Sequence, residues 1–313
     1  MARLVLRALA TLVGTILLAS SGIFLLIHLS GDPTYGFLPP ETSPAVREAV
    51  RQRLGLNDPI WKQYLLFVQD AFTLDFGYSW NLKRPAGEAV LNAFPPTMLL
   101  AVLGTISAVV AGVVVGVASS RRRRGPVEWL ISGGSLIGLA IPGFWLGTLL
   151  ILFFAVRLGW LPSSGNDGWR AIVLPVVALT LHPASVIARL VRANMREVSG
   201  AAWVRTAQGK GLSPWAIRWR HMLPNAVMPA VGYVGLHAAG LIGGTIVIES
   251  VFAWPGVGRM ALQAALARDM PVIHAFVVHS AVLVVAINLV VDLLAAAIDP
   301  RLRAGREVAY ATR

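Results

Sequence analysis

The sequence predicts an all-α integral membrane protein with six transmembrane helices, and three observations lead to that prediction. Hydrophobic residues make up 56% of the chain and charged residues only 13%, whereas about a quarter of the residues in soluble domains are charged. Six segments carry about 20 mainly apolar residues, the length that crosses a hydrocarbon core of about 30 Å. Lysine and arginine concentrate in the loops on one side of these segments, and this asymmetry predicts the orientation in the membrane.

The predicted spans are residues 8–29, 96–118, 129–156, 171–190, 227–248 and 273–298. The fourth is the least regular, because Pro175 and Pro183 interrupt it. Proline is tolerated in a span where neighbouring groups satisfy the freed carbonyls. Arg3 and Arg7 before the first apolar run would also suit a secretory signal. That run has about 22 residues, longer than the 7–15 of a signal's apolar region, so residues 1–29 are interpreted as an uncleaved first transmembrane helix.

The charges in the loops place both ends of the chain in the cytoplasm. Segments assigned to the cytoplasm hold 17 basic and four acidic residues, whereas segments assigned to the outside hold 10 of each. Because positive charge favours the cytoplasmic side, residues 294–313 are a predicted cytoplasmic tail of a multi-pass membrane protein. The net charge of +12 therefore reflects orientation in a lipid bilayer, and we expect no nucleic-acid partner.

The sequence carries no pattern typical of an enzyme. Cysteine is absent, which excludes disulfides, thiolate metal ligands and a cysteine nucleophile. No Ser/His/Asp set and no carboxylate pair has catalytic spacing. We expect neither enzymatic activity nor a bound cofactor in this chain.

A long segment, residues 30–93, separates the first two spans and is predicted to be extracytoplasmic. Ser43 can cap a helix that has Pro44 at its first position and closes at Gly55. A second helix follows, with one apolar face formed by Ile60, Tyr64, Phe67, Val68 and Ala71. The segment is too short for a core of its own. It either braces the transmembrane helices or docks an outer partner, and the sequence leaves both open.

A basic insert, residues 205–226, lies between the fourth and fifth spans and contains no acidic residue. We expect one helix over residues 193–208 that ends at Gly209 and Gly211, where glycine permits a positive φ. A second helix is predicted to begin at Ser213–Pro214 and to stop before Pro224. On the second helix Trp215 and Trp219 share one face, with Arg218 and Arg220 beside them. Such a helix suits either an anionic membrane surface or a groove on a partner protein.

The spacing within this insert resembles the "EAA" loop of permeases in binding-protein-dependent ABC importers. Arg205, Thr206 and Ala207 fill the triplet, Gly211 is the glycine, and Leu223 and Pro224 are the later Leu-Pro pair. Arg205 departs from the acidic residue of the general pattern, but VRTAQGKGL is similar to the variant in the dipeptide, oligopeptide and nickel branch. The resemblance extends over most of the chain through residues 31–33 (GDP), 74–79 (LDFGYS), 220–226 (RHMLPNA), 243–259 (GGTIVIESVFAWPGVGR), 268–273 (RDMPVI) and 288–303 (NLVVDLLAAAIDPRLR).

The resemblance implies a type I ABC importer permease fold, with the transmembrane domain in residues 94–293 and a coupling loop in residues 192–225. It implies that the insert rests in a groove on a cytoplasmic ATPase subunit. Trp215 and Trp219 would be the anchors of that contact, and Arg205, Arg218 and Arg220 would set its orientation. The implied partners are a second homologous permease, two ATP-binding cassette subunits that hold ATP and Mg, and an extracytoplasmic solute-binding protein.

A second stretch is implied, by the same resemblance, to lie near the outer gate and the docking surface for the binding protein. Its residues are Glu249, Phe252, Trp254, Pro255, Gly256 and Gly258. From the local sequence we expect Gly256 and Gly258 to shape a tight turn after the fifth span.

Polar residues inside the spans are few. Asp292 lies one helical turn after Asn288 and is expected to form structural hydrogen bonds. His237 is a further intramembrane polar residue. Together with three other histidines in or near the outer half it could mark a metal path, since imidazole binds nickel; those three are His28, His274 and His279. Each is equally explained as a packed polar residue, so no metal site is assigned.

Glycines four residues apart predict close approach between helices. The pairs are Gly112/Gly116, Gly134/Gly138, Gly143/Gly147 and Gly240/Gly244.

The function expected from the resemblance is half of an import pathway for peptides or nickel. Residues 235–245 and 167–175 resemble the nickel-type permeases somewhat more closely. Glutathione or an opine-type metallophore is an alternative cargo. A self-sufficient secondary transporter would need inverted internal repeats and more intramembrane charge, which the sequence lacks. A structural membrane anchor would leave the patterned insert without a purpose.

Overall fold

The computed structural model describes residues 2–29, 34, 41–53, 55–120, 133–135 and 137–298. The predicted GDP motif at 31–33, the arginine run at 121–124 and the tail from 299 lie outside these residues. The described chain is mostly helical, as the fold class requires. A two-stranded antiparallel hairpin was not predicted.

The first elements are α1 (Ala2–Leu29), α2 (Pro44–Arg53), α3 (Ile60–Thr73), the hairpin strands β1 (Tyr78–Ser79) and β2 (Arg84–Pro85), and α4 (Ala86–Ser119). Next come α5 (Gly143–Leu150), a π-helix (Ile151–Arg157), a 3₁₀ turn (Trp169–Ile172) and α6 (Val173–Val198). The basic insert holds α7 (Ala202–Gly209), α8 (Pro214–Ala216), a second π-helix (Ile217–Met222) and α9 (Leu223–Ala226). The chain continues as α10 (Met228–Val251), α11 (Val257–Leu266) and α12 (Met270–Ile298).

Four helices are long and apolar enough to cross a membrane, at Leu9–Leu26, Ala86–Ser119, Trp169–Val198 and Met270–Val291. Two further candidates are bent pairs: Gly133–Ala140 with Gly143–Arg157 at 102°, and Met228–Ala238 with Gly243–Val251 at 70°. The total is six only if each bent pair counts as one span. The predicted third and fifth spans therefore correspond to broken helices. Pro142, which is extended at the start of α5, accounts for the first break, because proline cannot continue the preceding hydrogen-bond ladder.

The first compact unit comprises Met1–Thr97 and Pro255–Leu289. Its buried core joins side chains of α1, α3, α4, α11 and α12. Buried Ser79 on β1 donates a hydrogen bond of 2.5 Å to Asp269, and its hydroxyl accepts the Leu82 N–H at 2.9 Å. The Thr97 hydroxyl accepts the N–H of Val257 at the start of α11. These hydrogen bonds fix the position of the hairpin, of the start of α11 and of Asp269, the residue before α12.

The second unit comprises Met98–Trp254 and Val290–Arg313. Its central element is α6, which packs against α4, α5 and α10. The prediction of close approach is confirmed at Gly112 and Gly116, where an added Cβ would meet Ile187 and Val191 of α6 at 2.6 and 2.8 Å. Gly240 and Gly244 have open space instead.

Local signals located α2 correctly. Pro44 is its first residue, and Gly55 has φ +67° with its N–H bonded to Gln52. The predicted second span was wrong at its start, because α4 begins at Ala86 and contains Pro95 and Pro96.

The prediction of a tight turn at Gly256 and Gly258 is also wrong. Gly256 precedes α11 in an extended conformation, and Gly258 lies inside the helix. The signal was present: Val257, Ala261 and Ala264 are spaced at four and three residues and are buried, which is a helical apolar face.

Candidate functional site

The basic insert begins at a corner after α6. The single helix predicted over residues 193–208 is two helices, because α6 ends at Val198 and α7 begins at Ala202. Ser199, Gly200 and Ala201 form the turn, with successive N–H groups bonded to carbonyls three or four residues back. Ala201 is extended, with ψ 145°, and an extended residue resets the chain direction before a new helix.

A second turn follows α7 at Gly211. Gly211 has φ +74°, its N–H bonds to the Gln208 carbonyl at 2.9 Å, and the next N–H, of Leu212, bonds to Ala207 at 3.3 Å. This pair of bonds is the Schellman arrangement, in which the residue with positive φ is usually glycine. Gly209, the other glycine expected at the helix end, is the last residue of α7.

The next helix begins as predicted and ends later than predicted. The Ser213 hydroxyl accepts the Ala216 N–H at 3.2 Å, and Pro214 is the first helical residue. The helix does not stop before Pro224, since α9 contains that proline. A π-helical turn precedes it, and the Leu223 N–H bonds to Arg218 five residues back. Proline is tolerated there because it lies in the first turn of α9.

The π-turn fixes which residues face inward. Ile217 and Met222 are five residues apart and both are buried, because a π-helix aligns residues at that spacing. They join one apolar cluster with Val204 and Ala207 of α7 and with Ala226 of α9; the α6 members of that cluster are Ile187, Val191 and Met195. The insert is therefore packed firmly onto the base of α6.

The two tryptophans of the insert lie in different surroundings. Their ring centroids are 6.5 Å apart, so they are neighbours as predicted. Trp219 is half-buried and packs against the cluster just described, whereas Trp215 is 66% exposed. Trp215 alone therefore presents most of its ring to a partner.

The insert also exposes several cationic side chains. Arg205, Lys210 and Arg220 are exposed, as is Thr206, while Arg218 is half-buried. Leu223 packs against the apolar cluster and Pro224 is exposed. The sequence has no acidic residue between 198 and 248. The exposed part of the insert therefore combines a tryptophan with positive charge, which suits an acidic groove.

The residues implied at the outer gate lie mostly in the interior. Glu249, Phe252 and Trp254 are at most 3% exposed. The Phe252 carbonyl accepts the N–H of Gly165, and its ring touches Gly147. Gly256 and Gly258 are also buried, and only Pro255 is exposed. Five of the six therefore offer no surface to a binding protein, and a gating role stays a prediction.

The intramembrane polar residues are not all brought together. Asn288 is exposed on α12, and the side chain of Asp292 lies outside the described part. His237 stacks on Tyr233, one turn earlier on α10, with ring centroids 5.7 Å apart. Sequence analysis did not pair Tyr233 with His237, although their four-residue spacing indicates a shared helix face.

The other outer histidines are packed among aromatic rings. His274 stacks on Phe67 at 3.7 Å, and His279 lies 5.3 Å from Phe76. His28 packs on Phe24. Among the described residues, no group of three or more His, Cys, Asp or Glu side chains could hold a metal ion. The histidines of the first unit therefore contribute packing there.

Long apolar helices joined by a rigid cationic insert define a multi-pass transport protein of the cytoplasmic membrane. The chain belongs to the family of binding-protein-dependent transport system inner membrane components, whose family model matches residues 108–304. The resemblance found in the sequence is thereby confirmed.

Relatives extend the similarity over nearly the whole length. The glutathione transport system permease protein GsiC of Escherichia coli strain K12 is 38% identical over 300 residues, which cover 96% of this chain and 98% of the relative. The protein of the same name from Shigella dysenteriae serotype 1 gives the same values. The family-specific stretches quoted from the sequence are thus part of a full-length likeness.

Solved structures support the fold. An inward-facing structure of the MetNI methionine ABC transporter has a TM-score of 0.57 at 22% identity, covering 67% of this chain and 96% of that chain. A second crystal form of that transporter has a TM-score of 0.53 with the same coverage. At this identity the likeness concerns the fold of the transmembrane domain.

Proposed function

We propose that the chain forms one half of the translocation pathway of an ATP-driven importer for a short peptide, with glutathione as the first cargo to test. A second homologous permease forms the other half, a binding protein delivers the cargo, and two partner subunits hydrolyse ATP. The full-length similarity to glutathione permeases supports this cargo over nickel. The shared motifs leave nickel as the competing cargo.

The observation that carries the coupling role is the division of the insert into two faces. Its inner face, with Ile217 and Met222, is buried against α6. Its outer face presents Trp215 and the exposed arginines 205 and 220. Because the inner face is firmly packed, a force applied at Trp215 moves α6 with it. An exposed helix with an aromatic anchor and a charged edge is the form that docks into a groove.

Trp215→Ala tests the contact with the ATPase. A buried tryptophan anchor contributes about 2 kcal/mol or more to an interface, which corresponds to about a thirtyfold weaker affinity. We expect Trp215→Ala to reduce copurification of the ATPase and cargo-stimulated ATP hydrolysis. The amount of permease in the membrane should not change, since the ring is largely exposed. Trp169→Ala is the matched control, because that tryptophan is also exposed and lies outside the insert. Full copurification with Trp215→Ala would contradict the proposal.

Gly211 offers a second test through the backbone. Gly211 has φ +74°, and a Cβ added there would meet no atom within 4 Å, so a substitution acts only through the turn. Gly211→Val should uncouple transport, because β-branched residues avoid positive φ. Gly211→Asn should retain coupling, because asparagine tolerates this conformation. Equal uptake by both variants would show that the turn does not position the insert.

The cargo is tested by uptake in cells that carry the whole system, with and without the permease. Labelled glutathione, a labelled di- to pentapeptide mixture and labelled nickel are offered in parallel. Loss of glutathione uptake alone supports the proposed cargo. Loss of nickel uptake alone would refute it while leaving the coupling role intact.

A further inference from the structure

Helix α3 is apolar over two adjoining faces, and the chain covers only one of them. The covered face, formed by Tyr64, Phe67 and Ala71, packs within the first unit. The uncovered face consists of Trp61, Leu65 and Phe72, which are 65%, 58% and 49% exposed. At 3.6 residues per turn these three lie within about 40° of one another. Soluble surfaces rarely leave such an aligned set of large apolar side chains exposed.

The rest of α3 is mainly polar. The polar arc holds Lys62, Gln63, Gln69, Asp70 and Thr73, with Leu66 as its apolar exception, while Ile60 and Val68 belong to the apolar arc. Lys62 forms an ion pair of 2.9 Å with Asp58. A helix with one broad apolar arc and one polar arc is typical of a segment lying in a membrane interface.

The contacts of α3 show its depth relative to the transmembrane helices. The Tyr64 hydroxyl lies 2.8 Å from the Ser21 hydroxyl, and its ring packs on Phe24. Both α1 residues lie within the apolar stretch Leu9–Leu26. Ser21 is five residues before the end of that stretch, or about 7.5 Å along the helix axis. The stacked pair Phe67 and His274 gives the same result for α12, whose apolar stretch is Met270–Val291.

We infer that α3 lies embedded in the membrane interface at the C-terminal end of α1, with Trp61, Leu65 and Phe72 against phospholipid acyl chains. The predicted orientation makes this the outer leaflet. At the depth fixed by Ser21 the surroundings of the transmembrane helices are lipid. The uncovered face carries no charge. It is exposed and apolar, as are the leucines of α1 that include Leu18 and Leu25.

The aromatic composition of the face agrees with this occupant. Tryptophan is enriched at membrane–water interfaces because its ring is amphipathic. Lys62 can keep its ammonium group in water while its stem follows the apolar surface. The extracytoplasmic segment is therefore held by the bilayer as well as by α1 and α12. The inference depends on neither the cargo nor the coupling role.

The chain contains no cysteine, so an introduced cysteine is the single labelling site of this subunit, and any cysteines of the partner subunits are replaced first. We would label Leu65→Cys and Phe72→Cys in the whole transporter, reconstituted in lipid vesicles. Thr73→Cys is the control, because Thr73 follows Phe72 but faces about 100° away. Collision with dissolved oxygen reports lipid, and collision with chromium oxalate reports water. We expect the oxygen-to-chromium ratio at both apolar positions to exceed that of the control severalfold.

Two results would overturn the inference. A ratio at Leu65 equal to that at Thr73 would place the face in water. Protection of both apolar positions from both reagents would show that protein covers the face, and omitting the binding protein would identify whether that protein is the cover. The two labelled positions are independent, so poor expression of one variant leaves the other as the test. Either of these results would leave the predictions for uptake and for ATPase copurification unchanged, because those predictions do not depend on the position of α3.

Discussion

Replacing Gly112 by alanine should destabilise the packing of α4 against α6. The added methyl group would lie 2.6 Å from Cβ of Ile187 and 2.8 Å from the carbonyl oxygen of Ala184. Neither atom can turn away, since one is the branch point of a buried side chain and the other is backbone. The two helices would therefore have to move apart.

The magnitude follows from two opposing effects. Overpacking a close contact costs about 1–3 kcal/mol, and alanine is more favourable than glycine within a helix by about 0.8–1 kcal/mol. Because both obstacles are fixed, we expect the upper part of the first range and a net loss of about 1–2 kcal/mol. Gly116→Ala meets Val191 at 2.8 Å. The double variant should lose less than the sum, since the first methyl already separates the helices.

The assay is thermal unfolding of the purified permease in one detergent. A loss of 1 kcal/mol lowers the midpoint by about 2–4 °C at this size. Gly14→Ala in α1 is the control, because its added Cβ would meet no atom within 4 Å and only the gain in helix propensity remains. A midpoint for Gly112→Ala that rises as much as the control would refute the close approach of α4 and α6.

Three further predictions concern the first unit. Leu74 follows the last turn of α3 with φ +59° and an exposed side chain. Leu74→Gly should therefore relieve about 1 kcal/mol of backbone strain, measured as slower amide exchange in the last turn of α3. Leu74→Ala should not slow that exchange. Burial, and after it the Asp75 carboxylate, raises the pKa of Asp70. The folded state therefore favours protonated Asp70. The stabilisation of the fold by this protonation is present at low pH and is lost as the pH rises through the folded pKa. Asp70→Asn should raise the unfolding midpoint at pH 7 by an amount that disappears in acid. Because the carboxyl is only partly buried and solvent screens it, the gain is about a few tenths of a kcal/mol. Ser79→Ala removes a donor to buried Asp269 and should cost about 1–3 kcal/mol, measured by thermal unfolding, while Ser79→Thr should retain most of that stability.

The basic insert shows what local patterns can predict. Ser213 and Pro214 located a helix start, and Gly211 located a turn, because both signals act within four residues of chain. The end of that helix was predicted wrongly, since Pro224 normally stops a helix and the preceding π-turn could not be anticipated. That turn exists because Ile217 and Met222 both pack on α6, which is a tertiary requirement.

The different surroundings of Trp215 and Trp219 were also beyond the sequence. Their four-residue spacing predicts a common helical face, and they are indeed neighbours. Only the fold decides that the apolar cluster below α6 covers Trp219 and leaves Trp215 exposed.

Composition, charge asymmetry and helix signals by themselves determined that this chain is a helical membrane protein, where its apolar segments lie, and where α2 and the helix after Ser213 begin. These features depend on transfer of side chains to lipid and on hydrogen bonds between near neighbours. Short stretches of sequence determine both. Only the tertiary structure decided which glycines touch another helix, which spans are broken and which face of α3 is uncovered. Lipid-facing and protein-facing side chains are equally apolar, so hydrophobic patterns carry no contrast between them.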